Sequence, residues 1–327
     1  MTDHPITPSI AILGCGLIGE THARILAQLG SPPTFFVDSD IQRAKRLAEE
    51  FSARASSDPI DPIRDNAIDA VYICTYHDTH APLAIEAARQ GKQIFLEKPM
   101  AITASDCHAI LDAVQRHRVR CMSGFKLHYY SLAQTAKQLI GQPLALSAQV
   151  FDHRWPDKSW ANDPVRGGGN VLSQGCHAIE LLCYLAGSRP IRIYAEGGNL
   201  HHSTLYLVDS MAATLAFENG AIATLLIGDL GETPRNGKFS FQAMNGSKSV
   251  HLYDRLTRLS YFNSEFEEVF SGDEDGFLNE NREFLAALTE GRQPETTEID
   301  GARATMILLA GIESLRTQEP QSLGGLP

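Results

Sequence analysis

A glycine-rich turn between two short apolar runs, within the stretch from Ser9 to Asp38, most constrains the fold. The first run leads directly into Gly14, Gly16 and Gly19, and an amphipathic stretch with helical spacing follows them. A short, uninterrupted apolar run is typical of a parallel strand buried on both faces. The second run ends at Asp38, 19 residues after Gly19. The pattern predicts a strand–helix–strand unit.

Each glycine of this turn has a specific structural role. Gly14 permits the tight turn out of the strand, Gly16 lets the backbone approach a pyrophosphate, and Gly19 lets the helix pack on the strand. The helix N-terminus offers free N–H groups and partial positive charge to that pyrophosphate. An ordinary glycine-rich turn would not account for Asp38, so the pattern predicts dinucleotide binding. The candidate cofactor residues here are Gly14, Gly16, Leu17, Ile18, Gly19, Asp38, Ser39 and Arg43.

The end of the second strand indicates which dinucleotide binds. Asp38 can accept hydrogen bonds from a ribose diol and would repel a 2′-phosphate. Ser39 follows it, with no arginine beside it, which favours NAD as the cofactor. Arg43, one turn into the next helix, keeps NADP as the less favoured alternative.

Overall composition bounds the class of protein. The 327 residues are enough for two domains, and 43% hydrophobic with 20% charged residues is an ordinary globular balance. No apolar run is long enough for a membrane span, and the N-terminus has no signal-like core, so a cytoplasmic protein is predicted. The net charge of −11 argues against nucleic acid or anionic membranes as partners.

Cysteine and histidine usage predicts reduced thiols and no metal. The six cysteines include no CxxC pair, so in a chain without a secretion signal they are expected to be reduced. Two close histidine pairs, His77 with His80 and His201 with His202, lack an HExxH motif or a Cys/His quartet. The acidic run from Glu265 to Asp275 is expected to be a solvated loop.

Alternating strand and helix patterns continue to about Ser123. Repeated βα units predict a parallel sheet with right-handed crossovers, and ligands of such sheets sit beyond the carboxyl ends of the strands. The predicted strands end at Leu13, Val37, Cys74, Leu96 and Met122.

Two of these strand ends carry polar residues that suit a ligand crevice. An acid and a base, Glu97 and Lys98, are followed by Pro99, which permits a cis peptide bond. A surface ion pair is the alternative, but strand ends in these sheets line the crevice. The further candidate cofactor residues are Thr75, Tyr76, His80, Glu97 and Lys98.

Beyond Gly124 the character of the chain changes. The stretch from Asp152 to Gly169, here called the Asp152–Gly169 loop, has no clear period and carries Arg154, Trp155 and Trp160. A long aromatic and basic loop of this kind is more often a binding loop than a linker. The tryptophans would stack on a sugar face or, alternatively, belong to the core.

The second half otherwise predicts a large sheet with a few helices. A helix is predicted over 171–185, and alternating runs with Asn-Gly turns then predict antiparallel strands. The expected fold is α/β. A doubly wound Rossmann sheet would occupy 1–123, and an α+β domain with a mostly antiparallel sheet would occupy 124–327. The last two predicted helices, 276–289 and 301–317, fall within the second domain in this division, and packing back on the first domain is left open as an alternative.

Three motifs in order resemble one family. GCGLIG at 14–19, EKP at 97–99 and GGGNVLSQGCH at 167–177 together resemble the glucose–fructose oxidoreductase/inositol dehydrogenase (Gfo/Idh/MocA) family over nearly the whole chain. The resemblance implies NAD(P)-dependent oxidation of a sugar or cyclitol hydroxyl, or reduction of the matching ketone. It also implies a homodimer or homotetramer joined through the outer face of the C-terminal sheet.

The resemblance further implies two catalytic residues. Lys98 matches the EKP lysine that polarises the reacting oxygen, and His177 matches the histidine that is the usual proton acceptor. Because the cofactor takes the hydride, the protein must take the proton. A histidine suits that task, and an ammonium stabilises the developing alkoxide. A satisfied core histidine on a helix is the alternative for His177.

Two positions depart from the family pattern. Many relatives carry aspartate where this chain has Ser173, which can hydrogen-bond a substrate but brings no negative charge. Relatives often carry arginine where His128 stands. The candidate substrate residues are Lys126, His128, Arg154, Trp155, Trp160, Ser173 and His177.

Two other functions stay open at this point. The family includes regulators that bind the dinucleotide as a signal. Lys98 and His177 weigh against that function because a sensor needs neither, while Ser173 weighs slightly for it. The other alternative is an enzyme that uses bound NAD only transiently, such as a glycosidase working through a transient ketone.

Overall fold

The computed structural model describes residues 8–232 and 237–327. The chain divides into two compact units. The first comprises the described residues up to Ala101 together with Ser105–Gly124 and Phe277–Ala302. The second comprises Ile102–Ala104, Phe125–Gly276 and Arg303–Pro327.

The first unit is built on a parallel sheet with the strand order of a Rossmann fold. Its strands within the described residues are β1 (Ile10–Leu13), β2 (Phe35–Val37), β3 (Arg54–Ser56), β4 (Ala70–Ile73), β5 (Gln93–Leu96) and β6 (Cys121–Ser123). They lie in the order β3-β2-β1-β4-β5-β6, and every neighbouring pair is parallel. The strand order reverses between β1 and β4, where such sheets bind their ligands. The predicted doubly wound sheet is confirmed.

Helices connect these strands and cover the sheet. They are α1 (Leu17–Gln28), α2 (Ile41–Phe51), α3 (Ile60–Arg64), α4 (His77–Arg89) and α5 (Ala104–His117). Every side chain of β1 and β4 is buried, as expected for parallel strands covered on both faces. The single-turn α3 lies in a stretch that is rich in turn-forming residues, such as Asp58 and Pro59. The amide of Ile60 donates to Oδ1 of Asp58 at 2.8 Å and stabilises its start.

The second unit is built on a mixed, mostly antiparallel sheet, as predicted. Its described strands are β7 (Ala145–His153), β8 (Pro190–Gly198), β9 (Ser210–Phe217), β10 (Ile222–Gly231), β11 (Phe239–Met244), β12 (Lys248–Tyr253), β13 (Arg258–Asn263), β14 (Glu267–Ser271) and β15 (Gln321–Ser322). The order is β14-β13-β12-β11-β7-β10-β9-β8-β15. The central pair, β7 and β10, is parallel, and the other pairs are antiparallel.

Helices α6 (Ser131–Ile140) and α7 (Gly169–Ala186) accompany this sheet, with short 3₁₀ helices at Lys126–Tyr129 and Trp160–Asn162. Along β10, Ala223, Leu225 and Ile227 are buried in the core, whereas Ile222 and Leu226 on the other face are 60% and 41% exposed. This alternation shows that one face of the sheet is covered by the core and the other faces outward. The chain closes with α8 (Gly276–Glu290) and α9 (Glu298–Thr317).

The prediction of a solvated loop over 265–275 was wrong in one respect. The segment Glu267–Ser271 forms β14, an edge strand paired with β13. Most of its side chains are nevertheless exposed. Acidic side chains on an edge strand oppose pairing with another chain, which reconciles the acidic composition with the strand. Among the helices that the structure describes, none has the length and apolar character needed to cross a membrane.

Candidate functional site

The glycine turn between β1 and α1 is shaped by close backbone contacts. Gly14 has a φ of +96°, and a Cβ there would lie 2.4 Å from the carbonyl oxygen of Cys74. At Gly19 a Cβ would lie 1.9 Å from the carbonyl oxygen of Gly14. At Gly16 an added Cβ would meet nothing within 4 Å. The turn is therefore open at this glycine, where a pyrophosphate could come close to the backbone. The first and third glycines serve the fold, and the second leaves room for a ligand.

The N-terminus of α1 fits a pyrophosphate. Gly16 is the residue before the helix and makes no side-chain cap. Leu17 at the first helical position is 82% exposed. The N–H groups of the first turn are therefore available to an anion, together with the positive end of the helix dipole.

Asp38 joins the end of β2 to the glycine turn. Its Oδ2 accepts from the amide of Cys15 at 2.8 Å, and its Oδ1 accepts from the amide of Asp40 at 2.9 Å. Each carboxylate oxygen has a second lone pair, so a ribose diol can still donate to it. Burial, and then the charge of Asp38, raise the pKa of the Cys15 thiol to about 12, so the thiol stays neutral.

The cation nearest in sequence is already paired. Nε of Arg43 lies 3.6 Å from Oδ2 of Asp40, and both side chains are exposed. Ser39 is exposed beside them. This arrangement fits a ribose diol better than a 2′-phosphate, because the residue that would meet the phosphate is the acid Asp38.

The loops after β4 and β5 are tied together by His80. Its Nδ1 lies 2.9 Å from the carbonyl oxygen of Pro99 and its Nε2 3.2 Å from that of Thr75. Burial lowers the pKa of His80, although these hydrogen bonds oppose the shift. Within the cofactor set, His80 is thus fully buried, whereas Tyr76 is partly exposed. The contacts make His80 a support for both strand-end loops.

Glu97 and Lys98 follow β5, with a cis peptide bond between Lys98 and Pro99. Oε2 of Glu97 accepts from the amide of Lys98 at 3.1 Å, and its Oε1 lies 3.1 Å from Nε2 of His22. Burial favours the neutral acid, but the hydrogen bond and charge of His22, with the charge of Lys98, outweigh it and lower the pKa of Glu97. Glu97 is therefore a buried carboxylate that holds the backbone of Lys98.

His22 is itself oriented from behind. Both Oδ1 and Nδ2 of Asn281 lie close to Nδ1 of His22, at 3.1 and 2.9 Å. Nε2 carries the proton that faces Glu97, because an ionised carboxylate only accepts. His22 and Asn281 were not predicted as site residues, since their partners lie far away along the chain.

A third buried acid lies near this pair. Ligand atoms of His22, Glu97 and Glu280 all lie within 4.8 Å of one another. One histidine and two carboxylates form a donor set that a metal ion can use. In this structure Nε2 of His22 stands at hydrogen-bond distance from Glu97. That no metal binds stays a prediction, which elemental analysis of the purified protein tests.

In the second unit, His177 and Ser173 lie one turn apart on α7. His177 is buried, and the rings of Phe125 and Phe239 meet its ring edge-on at centroid distances of 6.1 and 6.0 Å. Ser173 is also buried, and its Oγ lies 3.2 Å from Nε2 of Gln174. His177 and Ser173 therefore share one face of α7.

Lys126 and His128 lie on the 3₁₀ helix beside α7. Nδ1 of His128 is 2.8 Å from Oε1 of Glu180, and its ring centroid is 4.0 Å from that of Tyr184. His128 is buried, whereas Lys126 is partly exposed. The histidine that replaces the common arginine thus attaches this helix to α7.

The Asp152–Gly169 loop is anchored by buried acids that were not predicted as site residues. Nε1 of Trp155 donates to Oδ2 of Asp152 at 3.0 Å, and its amide donates to Oδ2 of Asp229 at 2.9 Å. The ammonium of Lys238 pairs with Asp152 and lies 5.9 Å from the Trp155 ring centroid. Trp160 is 39% exposed. The signal in the sequence was an aspartate within an apolar strand, as in Leu225–Leu230 around Asp229.

Comparison with known families identifies both halves of the chain. The model of the oxidoreductase family with an NAD-binding Rossmann fold (Gfo/Idh/MocA) matches residues 9–125. The model of the C-terminal domain of the same family matches residues 133–247. The predicted NAD-binding fold is therefore confirmed.

Two curated relatives span nearly the whole chain. The scyllo-inositol 2-dehydrogenase (NAD⁺) of Bacillus subtilis is 25% identical over 335 residues, covering 96% of this chain and 95% of the relative. The myo-inositol 2-dehydrogenase of Thermotoga maritima is 25% identical over 344 residues, covering 96% and 98%.

A solved structure shows the same fold. Levoglucosan dehydrogenase, in complex with NADH and levoglucosan, superposes with a TM-score of 0.90 at 20% identity, over 97% of this chain and 99% of the other. The strand order, the glycine turn and both family models agree. The chain belongs to the Gfo/Idh/MocA family of oxidoreductases.

Proposed function

We propose that this chain is an NAD-dependent oxidoreductase that acts on a sugar, cyclitol or sugar derivative. The reaction would interconvert a hydroxyl and a ketone carbon. The proposal is carried by one observation above the others. An acid and a base, Glu97 and Lys98, directly follow β5 of the NAD-binding sheet, at the edge where ligands of such sheets sit. The printed activities of the inositol and levoglucosan dehydrogenases support this substrate class.

In this proposal, separate residues of the chain bind the cofactor and carry out the proton transfer. The α1 N-terminus and Gly16 receive the pyrophosphate, and Asp38 accepts from the ribose. NAD supplies the hydride acceptor when bound. Lys98 holds the reacting oxygen and stabilises its developing negative charge. His177 takes the hydroxyl proton, so that the alcohol loses one hydride and one proton in forming the ketone.

The proposal also includes the substrate contacts and the division of the chain. Residues 1–123 would serve the cofactor and 124–327 the substrate, and the proposed substrate contacts are Lys126, His128, Arg154, Trp155, Trp160, Ser173 and His177. We also propose a homodimer or homotetramer through the outer sheet face, supported by its exposed apolar residues. A cytoplasmic location is proposed because the six cysteines are free thiols.

The direct test is nicotinamide absorbance during turnover on a panel of cyclitols, aldoses, anhydrosugars and sugar acids. The parent is compared with Lys98→Ala and His177→Asn, and with Lys45→Ala and His108→Asn as controls on exposed positions. Loss of a general base or an oxyanion partner should lower kcat by about 10²–10⁴-fold while NAD affinity is retained. The control variants should match the parent.

Each other outcome has a meaning. Turnover that survives in His177→Asn would exclude this histidine as the base. No turnover on the panel by a protein that binds NAD reversibly would favour the regulator. Cofactor retained through purification would favour the enzyme that uses NAD transiently, because a dehydrogenase must exchange NAD for NADH.

A further inference from the structure

His202, one of the adjacent histidines in the sequence, bridges two aspartates of the second unit. Its Nδ1 lies 2.8 Å from Oδ1 of Asp157 and its Nε2 lies 2.8 Å from Oδ2 of Asp229. The histidine side chain is 1% exposed and that of Asp229 is 0% exposed. Asp157 belongs to the Asp152–Gly169 loop, whereas Asp229 belongs to β10. The imidazole therefore links the loop to the sheet.

The two hydrogen bonds suit the protonated form of the ring. An ionised carboxylate only accepts hydrogen bonds, so both ring nitrogens must donate, which only the imidazolium can do. Oδ1 of Asp229 is buried with no hydrogen-bond partner among the described residues. A fully buried carboxylate needs a nearby positive charge, and His202 supplies it through Oδ2.

The backbone on either side of the ring is also held. The amide of His202 donates to Oδ2 of Asp209 at 2.8 Å, and the amide of His201 donates to the same oxygen at 2.9 Å. Oγ1 of Thr204 donates to Oδ2 of Asp157 at 2.8 Å. Asp157 thus accepts on both oxygens from one short segment, so its position depends on that segment.

The loop residues beside Asp157 depend on the same contacts. Oδ2 of Asp229, which receives His202, also receives the amide of Trp155. A guanidinium nitrogen of Arg154 donates to Oδ1 of Asp157 at 2.6 Å. The backbone of Trp155 and the side chain of Arg154 are therefore held by the two aspartates that His202 joins.

The surroundings of His202 determine the direction in which its pKa is shifted. Burial lowers its pKa, and Arg154 also lowers it. The hydrogen bonds to Asp229 and Asp157 and the charge of Asp229 outweigh both, and the pKa of His202 is raised. Asp209 meets the backbone on this side, and the His201 ring lies 5.3 Å from the His202 ring.

We propose that protonated His202 is a positioning residue that clamps the Asp152–Gly169 loop onto β10 and so presents Arg154 and Trp155 to the substrate. The substrate part of this inference rests on the proposed function. Because the folded pKa is raised, the clamp is complete below the usual histidine pKa and is lost as pH rises through the folded value. A neutral ring has one N–H, so one aspartate then faces a lone pair.

The chain contains a built-in probe of this loop. Its two tryptophans, Trp155 and Trp160, both lie in the loop. Acrylamide quenching of tryptophan fluorescence therefore reports loop accessibility without any turnover. In the parent, we expect quenching to increase in a one-proton transition on the alkaline side of the usual histidine range. His202→Gln should show no such transition.

Two neighbouring histidines provide matched controls. His201→Gln removes the adjacent ring. His153→Gln removes the exposed imidazole whose Nδ1 lies 3.1 Å from Oδ1 of Asp152, next to Trp155. Both variants should keep the transition. Asp157→Asn should shift its midpoint to lower pH because one of the two carboxylates is lost. If the contact between Asp157 and His202 only held the loop in place and did not affect the protonation of His202, Asp157→Asn would leave the pH midpoint of the transition unchanged.

Turnover supplies a second measurement once a substrate is known. KM for the substrate should rise roughly tenfold across the transition, the equivalent of one charge-assisted hydrogen bond, with NAD affinity unchanged. A parent without the fluorescence transition would overturn the clamp, as would a transition that persists in His202→Gln. If His202→Gln fails to fold, an unchanged midpoint in Asp157→Asn overturns it. Failure of the dehydrogenase assay alone leaves the fluorescence result standing, so the two proposals fail separately.

Discussion

At the residue scale, Asp38 has an observed structural task and a proposed recognition task. One carboxylate oxygen accepts from the amide of Cys15 in the glycine turn, and we propose that the same carboxylate also accepts from the ribose diol. The negative charge should matter most for discrimination between the two dinucleotides. A neutral amide of the same shape retains an acceptor but no longer repels a 2′-phosphate.

Asp38→Asn should therefore weaken NAD binding by about tenfold, the value of one charge-assisted hydrogen bond. The preference for NAD over NADP should narrow at the same time. Calorimetric titration with both dinucleotides measures the ratio. Asp40→Asn is the control, because asparagine still caps α2 as Asp40 does. An unchanged NAD/NADP ratio in Asp38→Asn would exclude the carboxylate as the discriminating group.

The His22–Glu97 pair gives a second prediction at this scale. His22→Leu leaves an ionised acid in the interior without its imidazole, which should lower the free energy of unfolding by about 3–5 kcal/mol. Adding Glu97→Gln should recover part of that loss. Urea unfolding of the single and double variants measures both changes. If the free energy of unfolding lost in the double variant equals the sum of the losses in the two single variants, the two residues are not coupled.

The same pair has a pH dependence with a definite sign. The pKa of Glu97 is lowered on folding, so its contribution to stability is present above the unfolded pKa. The contribution is lost as pH falls through the lower folded value. The acid side of the stability profile should therefore be flatter in Glu97→Gln than in the parent.

At the element scale, the packing of α1 on β1 depends on Gly19. A methyl group there would meet the carbonyl oxygen of Gly14 at 1.9 Å, whereas one at Gly16 would meet nothing within 4 Å. Gly19→Ala should lower the free energy of unfolding by about 1–3 kcal/mol or more, and NAD binding should weaken with it. Gly16→Ala should unfold like the parent yet bind NAD less well. Thermal unfolding and NAD titration of the pair separate the two roles. A stable Gly19→Ala would contradict the clash.

The elements show what a sequence can and cannot predict. Five of the six Rossmann strands, and α7, were predicted because their apolar runs and glycine boundaries are local. The edge strand β3 was not predicted, because Arg54–Ser56 has no apolar run of its own. β12, β13 and β14 were not predicted, since their pairing with neighbours, rather than their own weak alternation, makes them strands. Lys98 and His177 were found through motifs. His22 and Asp229 were missed because their partners, Asn281 and His202, lie on distant segments.

At the scale of the whole molecule, the outer sheet face has a row of side chains in register. Ile222, Ala145 and Met244 are neighbours across β10, β7 and β11, and Phe262 continues the row through Ser249. Ile222, Met244 and Phe262 are all exposed. Exposed apolar side chains grouped on one sheet face are typical of an interface between subunits.

Leu226→Glu on this face should shift the protein toward monomer without changing the cooperativity of unfolding. Light scattering after size-exclusion chromatography measures the mass. Leu200→Glu is the control, because Leu200 is 69% exposed but lies outside the strands. A parent that is already monomeric at micromolar concentration would rule out assembly through this face.

The contact between Asn281 and His22 joins positions 259 residues apart within one compact unit. During synthesis, the NAD-binding unit therefore cannot complete its folding until Phe277–Ala302 have been made. These residues leave the ribosome after nearly all of the second unit. Until then His22 lacks its contact with Asn281 and Glu97 lacks the neighbouring Glu280, so we expect the incomplete sheet to be prone to association. A chain ending at Gly124 is expected to accumulate in inclusion bodies, and co-expression of Phe277–Ala302 should raise its soluble yield if this order of assembly holds.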